Sequence, residues 1–441
     1  MVSVITSFSR ITILSYIIIF TLIDLIQLFE PWLNEVFNSI LTTIQAVMIV
    51  LFFCNATAVL YFQKGDSKVI LLAVFQLIFL VTTAIVVNNL YPASKALINN
   101  ILLLLSFSFI FIERLNFNKS FRQLINGVVS FFVALFIIYL LKKVPEISRY
   151  LIVFLIVGIC WLLAVAVAGD VEYGAKLSFS FLGIRIQPSE LVKITYLFFI
   201  ASCIVTYRDF RGYLFSGIGA ALHVFILVYS KDLGTALIFL VTYMFLTFIA
   251  YKNYILLTIE IGGSILAGIL AYNIFPHIQT RFIAWSDPLS VVDNQGYQIS
   301  QSLFAIGTGG WFGAGINNGM PTKIPVVVTD FIFSAISEEA GTLVALCLIV
   351  IYMCAAFYLF NCAFNCTNSF YMLIVSGIGV IFAIQTILNI GGVIKFIPST
   401  GVTLPFISYG GSSLLSMFIL FLIAECSNEL SQNLRGRRRY D

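Results

Sequence analysis

Asp330 closes a long polar stretch, in Val328-Thr329-Asp330-Phe331-Ile332-Phe333, just before an apolar run. With Ser334 and Glu338 it falls at i, i+4 and i+8, so on a helix the three share one face. A carboxylate that is partly desolvated and close to other acids drifts towards a raised pKa. That suits a general base taking a proton from a hydroxyl. An Asp at a helix start also fits an N-cap, accepting backbone N–H bonds and complementing the dipole. Glu338 and Glu339 follow within two turns. A charge at membrane depth costs about 2.5–3.5 kcal/mol on insertion scales and marks function by default, which moves Asp330 from cap towards base.

Other polar groups gather at the ends of apolar runs. Gln187-Pro188-Ser189-Glu190-Leu191-Val192-Lys193 opens one of them, with Pro188 placed for a first helical turn. Glu190 and Lys193 are three apart and either pair with each other or leave Lys193 to bind an anion in a cavity. In Lys231-Asp232-Leu233-Gly234-Thr235 the favoured role of Asp232 is a cap. Asp24, alone in the first apolar run, reads as a packing or topology feature. The stretch from Pro398 to Ser413, including Ser408, is broken by Pro and Gly, and such backbone is tolerated at membrane depth only where it is buried or lines a cavity. Arg281 and Lys395 share its side and either meet phosphate or snorkel at the interface.

These groups need elements to carry them, and composition says which. The chain has 441 residues, 60% hydrophobic and 10% charged, against about 25% charged in a soluble domain. Its solvent is lipid. Apolar runs of roughly 17–25 residues recur, each long enough to cross the hydrocarbon, and in lipid each must be an α-helix. The alternating pattern of a β-barrel is missing. Candidate spans cover 11–29, 39–62, 68–89, 97–113, 123–141, 150–169, 190–207, 213–230, 234–251, 254–275, 340–361, 370–389 and 408–425. The first is too long for a signal h-region and lacks a cleavage site, so it is retained. The helix after Asp330 is expected to run to about Leu359.

The tail Arg435-Gly436-Arg437-Arg438-Arg439 sets the C-terminus in the cytoplasm. Counting back, residues 276–340 fall outside, and Lys142-Lys143 and Arg208-Asp209-Phe210-Arg211 inside. The stretch 114–122, with Arg114, Lys119 and Arg122, then lies outside, against the rule, and the count stays open between twelve and thirteen. The 276–340 loop holds Trp285, Tyr297, Phe304 and Trp311, so it is ordered rather than disordered. The eight cysteines avoid it and only two histidines exist, so no Cys/His metal cluster is readable. The net charge of +4 needs no nucleic-acid partner. Together the groups describe an outward cleft for a lipid-linked, anionic, polar-headed substrate.

With these motifs in order, the chain resembles the SEDS family (shape, elongation, division and sporulation; the FtsW/RodA/SpoVE type). The resemblance rests on Gly174-Ala175-Lys176, Gln187-Pro188-Ser189-Glu190, Asp232-Leu233-Gly234-Thr235, Asp287-Pro288 with Gly296-Tyr297-Gln298, and Gln301 to Gly307. It continues through Thr329-Asp330-Phe331-Ile332-Phe333 with Glu338-Glu339, and Gly401 to Ser412. Two departures stand out. Leu177-Ser178 replaces an Arg-Trp, and Pro325-Val326-Val327-Val328 replaces a Pro-Glu-x-His beside the base.

The resemblance implies an all-α polytopic membrane protein: a ten-helix core over 97–425, two or three extra transmembrane helices in 1–96, and a basic cytoplasmic tail over 426–441. It implies a peptidoglycan glycosyltransferase polymerising lipid II outside the bacterial cytoplasmic membrane, for division, elongation or sporulation. On this resemblance the family's catalytic aspartate falls on Asp330, and Lys193, Arg281, Lys395, Glu190, Gln187, Glu338 and Ser408 are candidate substrate contacts. The partners implied are lipid II, undecaprenyl diphosphate, a class B penicillin-binding transpeptidase and other cell-wall machinery. No cofactor is assigned; a divalent cation (Mg²⁺ or Mn²⁺) could share the stabilisation of the diphosphate, and no ligand set for it is readable. The rival readings are a flippase for the lipid-linked precursor and a scaffold without activity.

Overall fold

The computed structural model describes residues 2–29, 34–91, 94–144, 146–172, 175–181, 184–207 and 209–437. Among them, twelve helices are long and apolar enough to cross a membrane. They are α1 (Val2–Gln27), α2 (Glu35–Lys64), α3 (Ser67–Leu90), α4 (Lys95–Leu115), α5 (Phe117–Lys143), α6 (Leu151–Ala168), α7 (Pro188–Thr206), α8 (Phe210–Tyr229), α9 (Leu233–Tyr251), α10 (Tyr254–Ile274), α14 (Thr342–Phe364) and α15 (Ser369–Val393). The helix α16 (Gly411–Arg437) adds a shorter apolar stretch, Gly411–Ser427, which makes thirteen apolar helices among the described residues. Between α10 and α14 lie α11 (Pro276–Ser286), α12 (Tyr297–Gly309) and α13 (Ile332–Ala340).

The helices start where short polar side chains close the first turn. Asn34, Asp66, Ser94, Asn116, Asp209 and Asn368 each accept a backbone N–H two or three residues on. The apolar pattern then decides position in the bundle. α4, apolar apart from a few buried polar groups such as Asn99, Asn100 and Ser106, is buried on every side, packed among α2, α3, α5, α13 and α14. α15 fills the same role among α7, α9, α14 and α16. α10 is the opposite case: it contributes no buried side chain and touches only α9 and α11 appreciably.

The three N-terminal helices pack onto the rest of the bundle. α1 lies on α2 and α14, α2 on α4, and α3 on α4 and α5. Asp24, in α1, is fully buried and accepts from Asn100 Nδ2 (2.9 Å) and the Tyr358 hydroxyl (3.2 Å), in agreement with a packing role. Contacts also settle which ends share a face. Arg10 near the start of α1, Gln63 at the end of α2 and Arg114 at the end of α4 all reach the 313–319 segment. Lys142 at the end of α5 instead pairs with Glu429 of α16 at 2.7 Å. The stretch 114–122 therefore does lie on the loop face, and Arg114 is held there by Glu339 rather than left as an orientation signal. Arg208 and residues 438–441 of the basic tail lie outside the described residues.

One expectation is corrected. The helix beyond Asp330 is not continuous to Leu359: α13 ends at Ala340, and Gly341 (φ +95°) turns the chain before α14. A Cβ at Gly341 would sit 2.4 Å from Gly313 N and 2.5 Å from Phe312 C, and the Thr342 and Leu343 amides donate to Gly310 O and Trp311 O. Loop backbone is inserted where a helical turn would be. The region between α6 and α7 also holds strands, β1 (Asp170–Glu172), β2 (Ala175–Phe181) and β3 (Ile184–Ile186), as two antiparallel pairings in the order β1-β2-β3. Gly174 of the Gly174-Ala175-Lys176 motif lies outside the described residues.

Candidate active site

The site is built on irregular backbone that side chains hold from several helices. Asn389 of α15 donates through Nδ2 to Asp330 O (2.9 Å) and to Val402 O (2.6 Å), tying the Asp330 turn to the 398–410 segment. Tyr409 N donates to Val328 O (2.8 Å), and the Ser408 hydroxyl donates to Thr329 O while accepting Leu404 N. Gln123 of α5 donates to Ser408 O (3.2 Å), and Tyr352 of α14 to Pro405 O (2.6 Å). Non-helical backbone in a membrane protein has to be satisfied in this way. Asp330 is left with its backbone fixed and its side chain free of capping duty, since α13 begins two residues later with no side-chain cap.

Charge is arranged around the half-buried Asp330 carboxyl. Burial pushes its pKa from the ordinary 3.8 up to about 6, while the Thr329 hydroxyl and the Arg281 charge pull it down. Arg281, on α11, is half-buried, and burial lowers its pKa; the charges of Asp232 and Asp330 oppose this. Its Nη1 donates to Ser399 O at 2.9 Å, and Trp285, one turn on, donates to Lys395 O at 3.2 Å. Those two bonds dock α11 along the 395–399 backbone. Asp232 does cap α9, accepting Thr235 N at 3.2 Å, and its other oxygen accepts the Ser189 hydroxyl at 2.8 Å. Gln187 Nε2 donates to Ser189 Oγ (3.1 Å), so Gln187, Ser189 and Asp232 form one polar line across the starts of α7 and α9, and the Asp232 charge acts on Arg281. Close packing completes the cleft wall. A Cβ on Gly234 would sit 2.1 Å from Val402 Cγ2, and one on Gly401 3.7 Å from Asp330 Oδ2.

The structure thus brings together Asp330, Arg281 and Gln187's neighbour Asp232, and puts other expected residues elsewhere. Lys193 is fully buried, 2.9 Å from Glu190 Oε2 and 2.8 Å from Gln385 Oε1, with Ser416 also on Glu190. It pairs with Glu190, the first of the two roles open to it, and its amine has no way to reach a ligand in the cleft. Ser408 is buried scaffold for the Asp330 turn. Glu338 lies near the other end of α13, where it accepts Met320 N at 2.7 Å. Lys395 (φ +61°) is half-buried at the rim, and among the described residues its amine meets no partner. Asp232 and Asn389 are the groups that sequence reasoning undervalued. Asp232 carries a signal, the Asp-Leu-Gly-Thr run, whereas Asn389 sits unmarked in an apolar helix.

The model of the cell cycle protein family FtsW/RodA/SpoVE matches residues 88–432. "Peptidoglycan glycosyltransferase RodA" of Mycobacterium tuberculosis (strain ATCC 25618 / H37Rv) is 32% identical over 337 residues, 71% of this chain and 70% of that one. "Probable peptidoglycan glycosyltransferase FtsW" of Wigglesworthia glossinidia brevipalpis is 31% identical over 308 residues, 66% of this chain and 80% of that one. A chain of a peptidoglycan synthase complex that coordinates polymerization and crosslinking has a similar fold (TM-score 0.63, 22% identity), covering 78% of this chain and 99% of its own. The rod shape determining protein RodA of Thermus thermophilus follows, at TM-score 0.56 and 22% identity, over 77% of this chain and 98% of its own. The chain belongs to the FtsW/RodA/SpoVE family of multi-pass membrane proteins.

Proposed function

We propose that the protein is a peptidoglycan glycosyltransferase that polymerises lipid II, with the Asp330 cleft as its active site. The observation that carries this is a carboxyl held near pKa 6 on a rigid backbone beside a half-buried arginine. Asp330 takes the proton of the 4-hydroxyl of the acceptor's N-acetylglucosamine. The freed oxygen pair forms a bond to C1 of the N-acetylmuramic acid on the growing chain, with inversion, and the C1–O bond to undecaprenyl diphosphate breaks. The base contributes about 10²–10⁴-fold. Arg281 stabilises the departing diphosphate, with Lys395 at the rim as the second cation. Lys193, Glu190, Gln187, Ser408 and Glu338 act by holding the backbone and helix starts that present these groups.

Among the described residues no three His, Cys, Asp or Glu side chains gather as a metal site, and the steps above use the chain's own groups. The sidedness follows from charge: Lys142 and Glu429 lie on the face opposite the cleft, towards the basic tail, which supports a cytoplasmic C-terminus and an outer-facing cleft. The cross-linking partner is a class B penicillin-binding transpeptidase, a reading supported by the likeness to a chain of a complex that couples the two reactions. The N-terminal unit 1–96 and the core 97–425 are joined in one bundle. Purified protein given lipid II should yield glycan polymer, and Asp330→Asn should abolish it. Translocation of lipid II in proteoliposomes without polymer would instead select the flippase reading.

A further inference from the structure

The segment 313–320, on the far side of α13 from Asp330, is an irregular loop whose backbone groups are taken in an ordered way. Its amides turn to α13. Ala314 N and Gly315 N donate to Glu338 O and Glu339 O (both 2.9 Å), Asn317 N reaches the Glu339 carboxylate, and Met320 N reaches Glu338 Oε1. Three of its carbonyls turn the other way, each to a different helix. Arg10 of α1 donates to Gly313 O (3.0 Å), Gln63 of α2 to Ile316 O (2.9 Å), and Arg114 of α4 to Gly319 O (2.8 Å). Arg114 also holds Glu339 at 2.6 Å. The backbone contact is tight, since a Cβ on Gly313 would lie 2.3 Å from Glu339 O and one on Gly309 2.3 Å from Ser337 O. α13 is buried along its whole length and begins two residues after Asp330.

We propose that Arg10 and Gln63 are positioning residues for Asp330. They lie outside the 88–432 region matched by the family, so the extra helices α1 and α2 grip the loop that seats α13, and α13 carries the base. Three donors from three helices fix one face of the loop, and two adjacent glutamates fix the other. Releasing either donor leaves a buried carbonyl unpaired and lets the loop and α13 move together. A shift of about 1 Å at a reacting group costs up to ~100-fold in rate, so a distant contact can act on turnover without touching substrate.

The inference rests on the polymerase reading for its kinetic arm but not for its structural one. The full-length protein in lipid nanodiscs is compared with Arg10→Ala, Gln63→Ala and Arg10→Lys by hydrogen–deuterium exchange and by lipid II polymerisation. Exchange over 311–320 and 331–340 should rise about tenfold in both alanine variants, with α7 and α9 unchanged. kcat should fall about 5- to 30-fold with KM within about twofold, and Arg10→Lys should recover most of the loss. Unchanged exchange in the loop and α13 overturns the proposal. So does a rise spread over the whole bundle, or a change confined to KM. A wild-type protein that makes no polymer fails the functional reading alone, and the exchange data still decide whether α1 and α2 hold α13.

Discussion

A base with a pKa near 6 makes the pH profile a direct reading of the site. Polymerisation needs Asp330 ionised, so kcat/KM should follow the fraction of carboxylate. With a pKa of about 6 that fraction is roughly one tenth at pH 5, one half at pH 6 and nine tenths at pH 7. An unshifted aspartate at 3.8 would be ionised throughout this range and give a flat profile. Burial raises the pKa and the Arg281 charge lowers it, so Arg281→Met should move the acid limb to higher pH as well as lower the plateau. The assay is initial rate of glycan synthesis from lipid II, in one detergent, from pH 5 to 8. Two outcomes would refute the reasoning. One is a wild-type profile flat over this range; the other is an Arg281→Met limb that stays in place, which would mean that the guanidinium does not act on the base.

The same shift carries a stability consequence. A carboxyl whose folded pKa is raised lends stability below its unfolded pKa and loses it as pH rises through about 6. Asp330→Asn should therefore be inactive by about 10²-fold or more yet melt a few degrees higher than wild type at about pH 7.5. Removing one member of the buried Glu190–Lys193 pair, as in Lys193→Met, should cost about 3–5 kcal/mol, and Glu190→Leu with Lys193→Met should recover much of it; thermal denaturation of the purified variants measures both. Gly234→Ala drives a methyl into Val402 and should cut polymerisation by displacing the 398–403 backbone. Gly262→Ala, with nothing within 4 Å of its Cβ, should be neutral or stabilise by up to about 1 kcal/mol.

Much of this protein is readable from residue types, and the exceptions have physical causes. Apolar length alone locates the crossing helices, because lipid admits no other backbone solution. The break at Gly341 is hidden, since a lone glycine in a helical pattern is usually tolerated, and only the loop backbone packed against it reveals the turn. The alternation in β2, Leu177-Ser178-Phe179-Ser180-Phe181, is too short to separate a strand from a connection by pattern alone. Spacing proposes the pairing of Glu190 with Lys193, but not the total burial that removes Lys193 from the cleft. Asp232 shows that cap and site are not exclusive roles: one oxygen closes α9, the other accepts the Ser189 hydroxyl, and its charge acts on Arg281.

The bareness of α10 gives the bilayer a say in the site. The helix is about 32 Å long, close to the hydrocarbon thickness of about 30 Å, and no neighbour encloses it. Its tilt therefore rests on few contacts, chiefly the Thr247 hydroxyl of α9 on the Glu260 carboxylate (3.0 Å) and the junction with α11. α11 follows at once through Phe275 and Pro276 and carries Arg281. A bilayer that changed the tilt of this exposed rod would carry α11 with it, and so the guanidinium whose charge acts on the base.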